Sequence, residues 1–364
     1  MSATSGKMRY NSIQVLRCLA VAAVLILHSQ FAIEQGVYQV PFFSQFGWIG
    51  VRLFFVISGF IIAERIEFER SLGVFLFRRY MRVFPLYALI TLVALLVSDA
   101  VGWGIFGTPR TDSGGVYDPE PVAYLLKSLL IVPQDPWPAF MVGWSLEYEV
   151  VFYFSFGIAY FLGGRGGALA TMLAMSVAGV VFPGLTRPLF DAMFLYFLFG
   201  CAAREVLSRE CRPLIAAAPF VCIISGAMWV LHLYKVLDLT GTGFILASGT
   251  CFAALIVLCL DLEKRGKAFG HAGVLVRIGD MSFSVYLVHW LVVPISLYLT
   301  SGMTFGAGTA ELLRILVMLF ALVASWAVWK FIELKIGRFI HGLVARREVK
   351  IRDAQMGEKF TFTG

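Results

Sequence analysis

Ten apolar stretches run along the chain, at 13–33, 46–63, 83–101, 139–162, 167–183, 189–203, 213–234, 242–262, 281–300 and 312–334. A helix of about 20 residues crosses the roughly 30 Å hydrocarbon core of a bilayer, and most of these stretches reach that length, the sixth being short. The pattern predicts an all-α polytopic membrane protein with about ten transmembrane helices in one bundle. That bundle is expected over residues 1–345, followed by a basic tail from 346 to 364.

Polar residues inside such stretches are expensive and therefore informative. The first stretch holds two of them, Arg17 and His28, in IQVLRCLAVAAVLILHSQFAI. Eleven residues at about 100° each make three turns plus about 20°, so both side chains fall on one helix stripe, roughly 16 Å apart along the axis. A charge near the bilayer centre costs at least about 2.5 kcal/mol, which favours a polar cavity facing that stripe. The alternative is snorkelling, Arg17 to one set of headgroups and His28 to the other.

Composition agrees with the pattern: 59% of residues are hydrophobic, 15% are charged, and the mean hydropathy is +0.81. With alternating helices and the N-terminus inside, 22 of the 30 basic residues fall on the cytoplasmic side, and Arg110, Lys127, Arg187, Lys235 and Arg314 fall outside. This asymmetry places both termini in the cytoplasm. The net charge of +7 then reflects topology and attraction to anionic membrane lipids, with no nucleic-acid partner expected. Lys7 and Arg9 precede the first stretch as in a signal peptide, but its length, its Arg17 and the lack of a small-residue cleavage site predict a retained helix. The six cysteines form no CxxC pair and read as packing residues. The histidines lack HxxxH or HExxH spacing, so no metal site is expected.

Further polar groups recur at the helix ends and interiors. Arg78, Arg79 and Arg82 are spaced so that Arg82 shares a helix face with either of the others at the inner mouth of the third helix, a basic cluster suited to phosphates and equally expected from topology. In the fourth stretch, Glu147 and Glu149 are about 200° apart on a helix, so they point to different sides and cannot act as a close pair. His289 lies three residues after Tyr286 and beside Trp290. Arg52 and His28 each sit five or six residues from the outer end of their stretches, which suggests a shared depth. Trp326, Trp329, Lys330 and Glu333 read as an anchoring belt. The segment 102–138, with GTPRTDSGGVYDPEP, is expected to be an ordered loop over the outer face. The C-terminal GRFIHGLVARREVKIRDAQ reads as a basic surface-lying segment in which His341 has no assigned role.

Five of these segments together resemble acyltransferase family 3, the integral-membrane enzymes that O-acylate envelope and secreted glycans. Arg17 and His28 match its R-x10-H signature, FFVISGF (54–60) its second-helix motif, and RYMRVFPLY (79–87) its RxxR followed by P-x-Y. WSLEYEVVFY (144–153) is similar to its W-[ST]-L-x-x-E-x-x-F-Y, with Glu149 in the motif position, and GDMSFSVYLVH (279–289) to its G-x-x-S-[YF]-x-x-Y-L-x-H. The opening NSIQVLRCLA resembles the stand-alone exopolysaccharide branch. Cys18 and Arg52 depart from the residues usual there, Gly and Asp.

The resemblance implies acetyl-CoA as the donor, used from the cytoplasm of a bacterial inner membrane, and a hydroxyl of an exported or lipid-linked glycan as the acceptor. It casts His28, Glu149 and Arg17 as catalytic: His28 as general base or acyl carrier, Glu149 as a partner of His28 or Arg17, and Arg17 near the thioester or oxyanion. Arg79 and Arg82 hold the donor, while Arg52, Trp144, Ser145, Tyr286 and His289 are assigned to substrate binding. A proton-coupled transporter or glycan flippase using the same buried groups is the competing class. A succinyl donor or a small-metabolite acceptor is the narrower alternative.

Overall fold

A computed structural model of the chain describes residues 9–29, 32, 41–101, 121–134, 137–182, 188–239, 241–270 and 272–344. Lys7, Arg110, Arg187, the GTPRTDSGGVYDPEP run up to residue 120 and the tail 346–364 lie outside the described residues. Among the described residues the protein is all-helical: α1 (Asn11–Ser29), α2 (Pro41–Arg65), α3 (Leu72–Val101), α4 (Pro121–Leu129), α5 (Gly143–Val181), α6 (Phe194–Ser208), α7 (Arg212–Leu233), α8 (Thr242–Lys264), α9 (Gly273–Asp280), α10 (Ser282–Thr300) and α11 (Ala307–Val328). Seven of these, α1, α3, α5, α7, α8, α10 and α11, are long and apolar enough to cross a membrane.

The ten apolar stretches all fall on helices, and α5 carries two of them. Its break at Gly163 and Gly164 is a reversal, because Tyr148 donates to Asp191 Oδ2 at 2.5 Å while Gly179 packs against the backbone of the same Asp191. A straight helix would separate positions 148 and 179 by about 46 Å. Gly164, at φ 63° and ψ −159°, supplies a backbone conformation open essentially to glycine alone. The third helix starts at Leu72, eleven residues before its apolar run, and continues through Pro85, so the arginine cluster is helical and not part of a preceding loop. The segment 102–138, expected as a loop, contains α4.

Close backbone approaches set the crossings near the site. A Cβ on Gly50 would meet Ala20 O and Val24, and Tyr10 stacks edge-on against Phe60, so α1 and α2 run antiparallel. Gly59 of α2 lies against the Phe197 backbone, and Gly200 of α6 lies against Val56 O, a reciprocal small-residue contact of the kind that brings membrane helices together. One end of the bundle is strongly ionic. Arg204 reaches Glu64 (3.1 Å), Glu67 (2.5 Å) and Glu205 (3.0 Å), and Arg165, at the α5 reversal, also pairs with Glu67. The Glu263 carboxylate accepts from the Asn11 and Ser12 amides at 2.7 and 2.9 Å and from the Ser12 hydroxyl, placing an anion on the positive N-terminus of α1. Arg9 pairs with Asp280 at 2.5 Å. These contacts fix the base of α1, the helix that carries Arg17 and His28.

Candidate active site

A cavity in the middle of the bundle is bordered by Arg17 of α1, Ser58 of α2, Arg79 and Arg82 of α3, Ser145, Glu149 and Tyr153 of α5, and Tyr286 of α10. Five helices thus deliver polar groups to one space inside a wall of Phe54, Phe55, Ile57 and Leu146. Glu149 Oε1 accepts from Ser58 Oγ at 2.9 Å and from the Tyr153 hydroxyl one turn further on. Tyr286 donates to Val142 O at 3.0 Å, which leaves its oxygen to accept from Ser145 Oγ at 2.6 Å. Three guanidinium groups and one carboxylate make this cavity electropositive in low-dielectric surroundings, where each charge acts more strongly than in water.

Arg79 and Arg82 also border a second opening at the ionic end, a vestibule that includes Arg65, Arg78, Glu333, Arg338 and His341. Arg79 is only 7% exposed and its guanidinium lies 5.6 Å from the Phe75 ring centre. Arg78 turns aside to Glu69 at 2.8 Å. Glu333, expected in an anchoring belt, instead faces the vestibule and accepts from Ser284 Oγ at 2.5 Å. A π-helical turn, Trp329–Glu333, places it there, and such single turns recur at functional sites. Residues 334–344 continue as a largely exposed helix, as expected of a surface-lying segment, with Arg338 and His341 bordering the vestibule.

His28 sits farther along the α1 stripe and borders neither opening. Its Nδ1 is 2.8 Å from His289 Nε2, and the two rings stack with centroids 5.0 Å apart. The chain of donors sets the tautomers. His289 Nδ1 is 2.9 Å from Val285 O, an acceptor only, so the proton resides on His289 Nδ1 and its Nε2 accepts. The His28 proton is then on Nδ1, and His28 Nε2 carries the lone pair. Trp290 packs edge-on against the His28 ring at 4.6 Å, and Tyr286 lies one turn before His289, 5.9 Å between ring centres. His289 is therefore a partner of His28, and of the two partners expected for Glu149 it is Arg17, bordering the same cavity, that lies with it, while Ser58 and Tyr153 hold its carboxylate.

The first turns of α5 divide the polar space in two. Ser145, Leu146 and Glu149 border the central cavity, while Trp144, Glu147 and Tyr148 border a third opening at the end of the bundle away from the arginine cluster. Glu147 and Glu149 do point to different sides, each into a different cavity. Arg52 borders the third opening with its guanidinium 4.6 Å from the Phe244 ring centre. It does not share the depth of His28: the Gly50 contact with Ala20 and Val24 in an antiparallel pair sets Arg52 about 12 Å below that histidine. Sequence reasoning did not single out Ser58, Tyr153, Gln134, Trp48 and Trp137. Tyr153 was visible as the i+4 neighbour of Glu149; Gln134 and Trp137 lie in VPQDPWP of the 102–138 segment, which the sequence marks as an outer loop able to help hold a substrate without singling out either residue, and Trp48 carried no signal.

Polar groups from five helices gathered inside an apolar all-helical bundle and opening to a basic mouth fit a membrane enzyme. The acyltransferase-domain family model matches residues 10–330, and the chain belongs to that family. It is similar to acyltransferase MdmB of Streptomyces mycarofaciens, 27% identical over 318 residues that span 78% of this chain and 79% of the relative. It is also similar to the exopolysaccharide production protein ExoZ of Rhizobium meliloti (strain 1021), 30% identical over 286 residues, 72% of this chain and 81% of the relative. No solved structure matches. The protein is thus a multi-pass membrane acyltransferase.

Proposed function

We propose that this acyltransferase moves an acetyl group from acetyl-CoA, taken from the cytoplasm, to a hydroxyl of an exported or lipid-linked glycan. One observation carries the reading: Arg79 and Arg82 border both the basic vestibule and the central cavity, so a phosphate-bearing head and a reactive thioester have adjoining places. The similarity to an exopolysaccharide production protein supports a glycan acceptor. The positive-inside asymmetry supports a cytoplasmic arginine end, with ten spans and both termini inside.

In this reading Arg79 and Arg82 hold the donor phosphates, and Arg17 offsets negative charge developing at the reacting carbonyl. Glu149, fixed by Ser58 and Tyr153, balances the arginine charge. His28 Nε2 receives the proton of the acceptor hydroxyl, and His289 holds the tautomer that makes this possible. The hydroxyl oxygen bonds to the acetyl carbon as the thiolate departs, and the proton on His28 returns to the sulfur or to solvent.

The test is the O-acyl content, by mass spectrometry and proton NMR, of extracellular and lipid-linked glycan from a deletion strain. The strain carries either this chain or its His28→Ala form at matched membrane levels. Esters restored only by the unmodified chain are expected. Full acylation with His28→Ala would remove that residue from the mechanism, and a restored glycan without new esters would favour transport.

A further inference from the structure

The third opening, of roughly 1120 Å³ including its mouth, has no part in holding the donor. We infer that it is the acceptor subsite and that it takes an uncharged pyranose ring; the inference rests on the acyltransferase reading above.

Its aromatic surface is the first argument. Trp144 has the Trp48 and Trp137 rings 6.3 and 6.1 Å away and the Tyr148 ring at 5.9 Å, so four aromatic side chains form one continuous patch. Trp48 and Trp137 are 47% and 37% exposed, so part of each ring is left uncovered. Such rings present broad apolar faces beside polar edges, which suits the C–H face of a sugar.

Unmet hydrogen bonding is the second. Arg52 Nε, Gln134 Oε1 and Glu147 Oε1 are buried without a hydrogen-bond partner among the described residues, and all three residues border this opening. Glu147 is only 5% exposed. An unsatisfied buried polar atom costs about 1 to 3 kcal/mol, so one donor and two acceptors converging on a single space call for a ligand that both gives and accepts hydrogen bonds. Vicinal hydroxyls do this.

Charge decides the class of sugar. Arg52 is the one cation at this opening among the described residues, and the Asp191 carboxylate borders the same space. Asp191 is already engaged by the Tyr148 hydroxyl and the Met193 amide, but its charge remains. An anionic sugar would find the one guanidinium already offset by Asp191 and would gain no net attraction. Location completes the case, because Trp144, Glu147 and Tyr148 occupy the α5 face opposite Ser145 and Glu149, one helix width from the central cavity.

The experiment uses the full chain in lipid nanodiscs with methyl glucoside, methyl galactoside, methyl mannoside and glucuronate as probes, read by saturation-transfer NMR. Acetyl-CoA binding and the thermal midpoint are measured on the same samples. At least one neutral pyranoside is expected to bind saturably, glucuronate more weakly, and Glu147→Gln and Trp137→Ala each to weaken the neutral sugar about tenfold while acetyl-CoA binding stays within about twofold. Equal sugar binding in the variants, preference for glucuronate, or no binding of any neutral probe overturns the inference. Failure of the parent reading looks different: the unmodified chain then binds no acetyl-CoA, whatever the sugars do.

Discussion

At the level of single residues, the two histidines carry the most. Leucine at position 289 removes the acceptor that holds the His28 proton on Nδ1, whereas glutamine keeps an acceptor near the same place. His289→Leu is expected to lower kcat about 100- to 1000-fold with KM for acetyl-CoA unchanged, and His289→Gln to recover part of it, as steady-state kinetics on purified protein would show. If both variants turn over normally, the histidine pair has no positioning role. The arginines separate by a different readout. Arg82→Ala should raise KM for acetyl-CoA about tenfold and leave KM for acetyl-pantetheine, which lacks the phosphates, unchanged; an equal rise for both donors contradicts phosphate binding. Of these residues, Arg17, His28, Arg79, Arg82 and Glu149 were legible in the sequence, because an ionisable side chain within or beside an apolar run is too costly to place without a partner or a polar space to face. The link from His28 to His289 was not: 261 positions separate them, and no local pattern encodes which helices meet.

Among the helices, the reversal in α5 and the ionic knot beneath it belong together. Gly164→Ala puts a Cβ into a backbone conformation reserved for glycine and is expected to cost about 1 to 3 kcal/mol, measured as a lowered thermal midpoint in detergent. Gly163→Ala, at φ −132°, should cost less, and an equal loss for the two would contradict the assigned turn. Arg204 is 5% exposed and is shared by Glu64, Glu67 and Glu205. Arg204→Ala leaves those carboxylates crowded and short of a cation, with an expected loss of about 3 to 5 kcal/mol. A variant as stable as the parent would show the knot to be ornamental. Helix existence was readable from apolar runs in all ten cases. Helix ends were not, since α3 begins eleven residues before its apolar run, with the arginine cluster interrupting its hydrophobic pattern, and a one-residue widening at Trp329–Glu333 has no signature at all.

Across the whole molecule, polar groups are arranged in three successive spaces: a cationic vestibule, a central cavity sharing Arg79 and Arg82 with it, and an aromatic opening beyond α5. In the proposed orientation, a single cysteine at Gly166 reacts with an impermeant maleimide only from the cytoplasm, and one at Trp137 only from outside. Labelling of both from the same side in sealed vesicles would contradict that orientation. The sequence announced the family and the cationic end. It announced that Glu147 and Glu149 face different sides of their helix, but not that each side meets a cavity of its own.

That partition is a single α-helix, about 10 Å across with its side chains. The bilayer it interrupts is about three times as thick. In the proposed reaction the coenzyme head and the body of the glycan therefore stay on opposite sides of the membrane, and only their reacting ends, the thioester and one hydroxyl, meet within the bundle. On that reading the enzyme works as an airlock: the cell exports an acyl group without exporting its carrier.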